Sequence, residues 1–245
     1  LDATIRVKFA EFYWLGGENP KAAAVLKELV EDLESRQAEN DDGDRNRSRS
    51  NPQSIQQLLR DTQNRDVQGD FYFYDGLSKA EAGDREQAFD SFKKALDIQP
   101  DNPDILIAMR KVADSESARE FFETNFTNMR GRFRRQVVRA EEGLARAQDR
   151  DQRRRLEFDL AQSCNQLAWL LGKCESDQEE AIRLSERSLE LMPDEPAFLD
   201  TLGRCYFSAG RIEDAIRVQQ RAVELSPYER LMVAQLHEFE SAQAG

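Results

Sequence analysis

Leu199-Asp200-Thr201-Leu202-Gly203-Arg204-Cys205-Tyr206-Phe207-Ser208-Ala209-Gly210-Arg211-Ile212-Glu213-Asp214-Ala215 is the stretch that decides the fold. Its small residues, continued by Ala222 and Pro227, have counterparts upstream. Gly76, Gly83, Ala88, Ala95 and Pro100 each lie 127 positions before Gly203, Gly210, Ala215, Ala222 and Pro227, and the intervals within each set run 7, 5, 7 and 5. Spacing this regular marks one structural unit used more than once. The unit reads as two antiparallel helices of about 12–15 residues joined by a tight turn. Gly203 and Ala215 suit a close helix crossing, where a larger side chain would force the helices apart. Gly210 suits a turn residue with positive φ. Ala222 packs toward the next unit, and Pro227 stops the second helix because it has no backbone N–H to donate.

Two further units follow from the same marks. Ala181 and Pro193 keep the twelve-residue interval, and Pro193 precedes Pro227 by 34 residues. Leu167-Ala168 takes the small-residue position, with Ala168 thirteen places before Ala181, which predicts a one-residue insertion near Cys174 to Gln178. Ala10, Tyr13, Gly17, Ala22 and Leu26 form a weaker unit at the start, without a terminating proline.

Leu202-Gly203-Arg204-Cys205-Tyr206, followed by Ala215 and Pro227, resembles the tetratricopeptide repeat, a helical hairpin of about 34 residues. Gln219 stands where that family carries an aromatic; upstream, Phe92 keeps the aromatic, while Asp75 and Lys79 replace the Leu and Tyr. The resemblance is strong over 69–102 and 161–229 and weak over 3–36. It implies an all-α solenoid of antiparallel helical hairpins, with repeats at 3–36, 69–102, 161–195 and 196–229. A long non-repeat helical segment at about 103–160 interrupts it. The wording of the last two units also resembles repeats at the ends of larger bacterial proteins.

The rest of the chain divides around these units. Residues 1–36 read as a helical hairpin. Residues 37–53 hold one apolar residue and read as a polar, disordered loop. Segment 54–102 reads as a short helix, capped by Ser54 and ending near Thr62, and then a repeat. Segment 103–160 reads as divergent, Arg-rich helices, 161–229 as two repeats, and 230–245 as a helix closing the last apolar face. Within 103–160, Phe122, Phe126, Met129, Phe133, Val137, Ala140, Leu144 and Ala147 form one continuous apolar stripe on a helix of roughly 40 Å, far longer than a repeat helix, weakened by Gly131 and Gly143 and leaving room for a break near Thr127-Asn128. A second helix is expected from about Gln152.

Composition agrees with thin helical layers: 39% of the 245 residues are hydrophobic and 33% charged, and strand-like alternation is missing. No apolar run approaches the roughly 18 residues of a membrane span. The three cysteines are an odd number, which argues against a disulfide framework and favours a reducing compartment. Residue 1 is leucine, so the chain is expected to be a piece of a longer protein.

No residue pattern assembles a catalytic centre, a cofactor site or a metal site. His237 is the only histidine, and Ser241 stands where a metalloprotease helix needs a second one. The glycines never cluster into a phosphate loop, and the intervals among Cys164, Cys174, Cys205 and His237 are 10, 31 and 32, unlike compact zinc spacing. Residues 130–155 hold ten arginines against four carboxylates in a chain of net charge −12. Nucleic acid is the sharp reading of that stretch. The acidic surroundings oppose it and favour a solvated helical face paired with carboxylates of the chain or of a protein partner.

The family resemblance implies a non-catalytic module that binds a protein or peptide along the first helices of successive repeats. Matching register puts Asn165, Trp169, Gly172 and Lys173 there in one unit, Asp200, Arg204, Phe207 and Ser208 in the next, and Phe73 and Leu77 in the first. Trp169→Ala and Arg204→Glu are then expected to weaken partner capture with helicity unchanged. The competing reading packs Trp169 and Phe207 between helices. Two other classes stay open: an accessory region of a larger bacterial enzyme, and a scaffold that self-associates into a homo-oligomer through the long stripe.

Overall fold

A computed structural model describes residues 3–44 and 55–244, with side chains described for 4–31 and 66–244. Among the described residues the chain is all helix, in the order α1 (Ala3–Leu15), α2 (Asn19–Asp44), α3 (Ile55–Glu81), α4 (Arg85–Ile98), α5 (Pro103–Arg110), α6 (Glu116–Ala145), α7 (Arg150–Lys173), α8 (Gln178–Leu191), α9 (Pro196–Ser208), α10 (Ile212–Leu225) and α11 (Arg230–Ala244). None of them is long and apolar enough to cross a membrane. The chain divides into two compact units, Leu1–Phe122 and Glu123–Gly245, with the division inside α6. In the first unit α1 to α5 each pack on the next in order. In the second, α7 pairs with α8, α9 with α10, and α11 closes on both α10 and α9. The architecture of each unit is therefore antiparallel helical hairpins packed side by side, and in chain order the non-repeat helix α6 follows the first set and precedes the second.

The turns form where the backbone demands them. Gly83 (φ 88°) and Gly210 (φ 75°) occupy the left-handed region between α3 and α4 and between α9 and α10. Behind Gly210, the N–H of Arg211 donates to Tyr206 O at 2.9 Å, using a carbonyl that the helix end leaves open. The turn from α7 to α8 is one residue longer, Cys174 to Asp177, and carries Glu175 (φ 52°) and Asp177 (φ 50°) in the left-handed region. This is where the thirteen-residue spacing predicted an insertion. Asp177 offsets part of the strain as an N-cap, accepting from the Glu180 N–H at 3.4 Å.

Several helices run further than the local sequence predicted. α2 continues to Asp44 through the start of the expected loop; residues 45–54, which include the rest of that loop and the cap assigned to Ser54, lie outside the described residues. α3 is a single helix of 27 residues with no end at Thr62. α6, by contrast, is the long continuous helix that the stripe predicted: it is unbroken at Thr127-Asn128, and its 30 residues give a length of about 45 Å. α7 begins at Arg150, where Asp149 accepts from the Gln152 N–H at 2.7 Å. Polar helix-formers such as Glu, Gln and Arg supply no stop signal of their own, so these segments continue until a cap, proline or glycine ends them.

The long stripe is consumed by the fold. Met129 and Phe133 are fully buried and Phe122, Phe126 and Val137 nearly so, while Ala140, Leu144 and Ala147 at the far end are half-buried. Cys164, Cys174 and Cys205 are buried and free. Burial pushes the Cys205 thiol up to about 12 and the Cys164 thiol to about 11, so both stay protonated and act as small apolar side chains.

Candidate functional site

In the second unit a cleft of about 710 Å³ opens along α7 and α9. Along α7, Gln162, Asn165, Gln166 and Trp169 follow the i, i+3, i+4 and i+7 positions of one face, and α9 brings Asp200 opposite them. The wall is rich in side-chain amides, each of which can donate and accept. Asn165 leaves its Oδ1 buried without a hydrogen-bond partner. Lys173, one turn on, seats its ammonium 4.5 Å from the centre of the Trp169 ring and covers one indole face.

The register-matched residues separate into three groups. Asn165, Trp169 and Asp200 come together in the cleft, with Lys173 against the indole. Arg204 does not reach it. It is only 7% exposed, and its guanidinium donates to Glu238 Oε1 and Oε2 and, through Nε, to Gln235 Oε1 at 2.9 Å. Phe207 stacks on Phe239 with centroids 4.5 Å apart and planes at 18°, and the guanidinium lies against both rings. The closing helix α11 thus takes the Arg204 guanidinium into the interior and half-covers Phe207, and neither residue lines the cleft to which register assigned it. Phe73 belongs to the first unit, where it is buried against Trp14 and Phe92.

A buried polar network backs the cleft. Gln219, fully buried on α10, donates through Nε2 to Asp200 Oδ1 at 2.6 Å and to Met232 O at 3.0 Å. Gln235 on α11 donates to Gln219 Oε1 at 3.1 Å and to Asp200 Oδ1 at 3.0 Å. Burial pushes the Asp200 carboxyl up, while the Gln219 hydrogen bond and the Lys173 and Arg204 charges pull it down. The network fixes the rotamer of the one carboxylate that α9 contributes to the cleft. Sequence reasoning missed Gln162 and Gln166; their positions on the Asn165–Trp169 face were the available signal.

The arginine-rich stretch is divided in use. Arg134 pairs with Glu180 and Asp177, and Arg146 with Glu142 at 3.3 Å. Arg135, Arg139, Arg150, Arg153, Arg154 and Arg155 are exposed.

Two of the expected repeats match a family model, tetratricopeptide repeat, over residues 76–102 and 197–229. No curated protein matches the chain. Among solved structures it resembles the assembly chaperone of RpL4 (Acl4) at 15% identity, with 93% of this chain and 76% of that chain covered and a TM-score of 0.36. It also resembles the TPR domain of P58(IPK) at 14% identity, with 96% and 77% covered and a TM-score of 0.31. Gly203 behaves as the repeat requires: a Cβ there would lie 3.5 Å from Ala215 O, so the two helices touch at the marked pair. The chain carries tetratricopeptide repeats, modules of protein interaction, at residues 76–102 and 197–229.

Proposed function

We propose that the chain binds an extended segment of a protein partner in the α7–α9 cleft, and that binding rather than catalysis is its function. The supporting observation is the cleft wall: side-chain amides at helical spacing flank the half-buried Trp169 indole, and Asn165 keeps a buried acceptor without a partner. Amides that donate and accept suit a peptide main chain, which presents both groups at every residue. Trp169, stiffened by Lys173, supplies an anchor for one partner side chain.

The reading is tested by panning a random peptide library on the immobilised chain. Enriched peptides are expected to lose about tenfold in affinity on Trp169→Ala, an interface hot-spot effect, with the helical circular-dichroism signal unchanged. Peptides that bind Trp169→Ala and Asn165→Ala as well as the native chain would contradict it.

Self-association is a second reading, favoured by a different surface from the long stripe. Ile5, Phe9 and Phe12 share one face of α1 and are 45%, 47% and 64% exposed. Light scattering at high concentration would show a mass above 28.2 kDa that Phe12→Glu returns to that value. A native chain that stays at the monomer mass would exclude this reading.

A further inference from the structure

The first unit contains a separate cavity of about 320 Å³, close to the lower size limit of ligand pockets. Glu11 and Trp14 reach it from α1, Asp70, Phe73 and Tyr74 from α3, and Asp104 from the first turn of α5. The aromatic side is ordered: Trp14 stacks on Tyr74 with centroids 5.8 Å apart and planes at 30°, and meets Phe73 edge-on at 6.2 Å. The acidic side is held by Gln99. Its Nε2 donates to Asp70 Oδ1 at 3.0 Å, its Oε1 accepts from Asn102 at 3.0 Å, and Gly69 leaves it the space, since a Cβ there would fall 2.5 Å from the Gln99 amide carbon.

Burial pushes the Asp70 carboxyl up; the Gln99 hydrogen bond pulls against this, and the Asp66 and Glu11 charges add to the push. Tyr74 is 7% exposed, and burial and the Asp70 and Glu11 charges raise its phenol, which places it near both carboxylates. A cavity with π-faces on one side and carboxylates on the other is complementary to positive charge. A metal ion is not the complement: among the described residues no three His, Cys, Asp or Glu side chains converge to hold one.

We propose that this cavity binds an organic cation, an alkylammonium or guanidinium group, against Trp14 and Tyr74 and between the carboxylates of Asp70 and Glu11. The proposal does not rest on the α7–α9 cleft.

The chain has two tryptophans, so Trp169→Phe leaves Trp14 as the sole indole reporter. Its fluorescence is followed during titration with n-butylammonium, with lysine blocked at both termini, and with n-pentanol as the neutral shape control. The expected result is a saturable change with both cations and none with pentanol. Affinity should fall about tenfold on Asp70→Asn and several-fold on Glu11→Gln. Tighter binding of blocked lysine than of butylammonium assigns the cation to a polypeptide side chain, and the reverse order assigns it to a free amine. Glu11→Gln alters a half-buried residue and carries the test if Asp70→Asn does not fold. The proposal is overturned if neither cation saturates below about 50 mM, if pentanol acts like them, or if both variants bind as the parent does.

Discussion

In the repeat at 76–102, a phenyl ring fills the space that the glycine leaves open. In the repeat at 197–229, an amide fills it. A Cβ on Gly76 would fall 2.5 Å from Phe92 Cε1, whereas a Cβ on Gly203 would fall 2.6 Å from Gln219 Oε1 and 3.3 Å from Phe239 Cε2. The same small-residue mark therefore supports two kinds of interior. The first is apolar, with Phe92 against Phe73, and the two residues that depart from the repeat pattern satisfy each other: Lys79 donates to Asp75 Oδ2 at 2.6 Å, and Ser91 bridges the pair. The second is a polar lattice of Asp200, Gln219, Gln235 and Arg204, completed by the closing helix. Glycine fixes how close the helices come, and the residue opposite decides what that closeness is used for.

The difference can be broken most severely at Phe92. Phe92→Ala removes a fully buried ring from a core with no polar group to refill the space, and should cost the first unit about 3–5 kcal/mol. Trp14 lies in the first unit and Trp169 in the second, so urea unfolding followed by one indole at a time reads each interior separately. Arg204→Ala should cost the second unit about 2–3 kcal/mol, since it removes the shorter of two hydrogen bonds to Gln235 Oε1 and uncovers two rings while half-exposed Glu238 rehydrates. Arg204→Glu should cost more and free α11, so any loss of partner capture in that variant would accompany lost helicity. This reverses the outcome expected when Arg204 was read as a groove residue.

The paired glycine substitutions sharpen the contrast. Gly76→Ala drives a Cβ into a ring that cannot bend and should cost about 2–3 kcal/mol, while Gly203→Ala meets the terminal oxygen of the Gln219 amide, which turns aside at the expense of its bond from Gln235, and should cost about 1 kcal/mol. Equal costs would mean that backbone approach, not the facing side chain, sets the tolerance. The smallest effect is a gain: Glu175→Gly removes a left-handed non-glycine residue from the longer turn and should stabilise the second unit by about 0.5–1 kcal/mol.

The same contrast explains what the sequence disclosed. Turns at Gly83 and Gly210 were legible because a positive φ is a local demand. The insertion before α8 was legible because repeat spacing counts residues. The continuation of α2 past 37 and of α3 past 62 was not, since uninterrupted polar helix-formers carry no local punctuation. At the candidate site, register put Asn165, Trp169 and Asp200 along one cleft, but it also put Arg204 and Phe207 there. What covers them instead is Glu238 and Phe239, more than thirty residues further on, and no repeat count encodes where a terminal helix docks. Gln219 stood out as a departure from the family pattern. Its purpose becomes visible only when Asp200 and Gln235 are brought to it by folding.

The most direct test of peptide binding is amide hydrogen exchange on the full chain, with and without a peptide enriched by panning. Added protection is expected to be confined to the backbone of α7 around Asn165–Lys173 and of α9 around Pro196–Arg204, and to be lost in Trp169→Ala. Protection that appears only outside these helices, or that persists unchanged in Trp169→Ala, would contradict it.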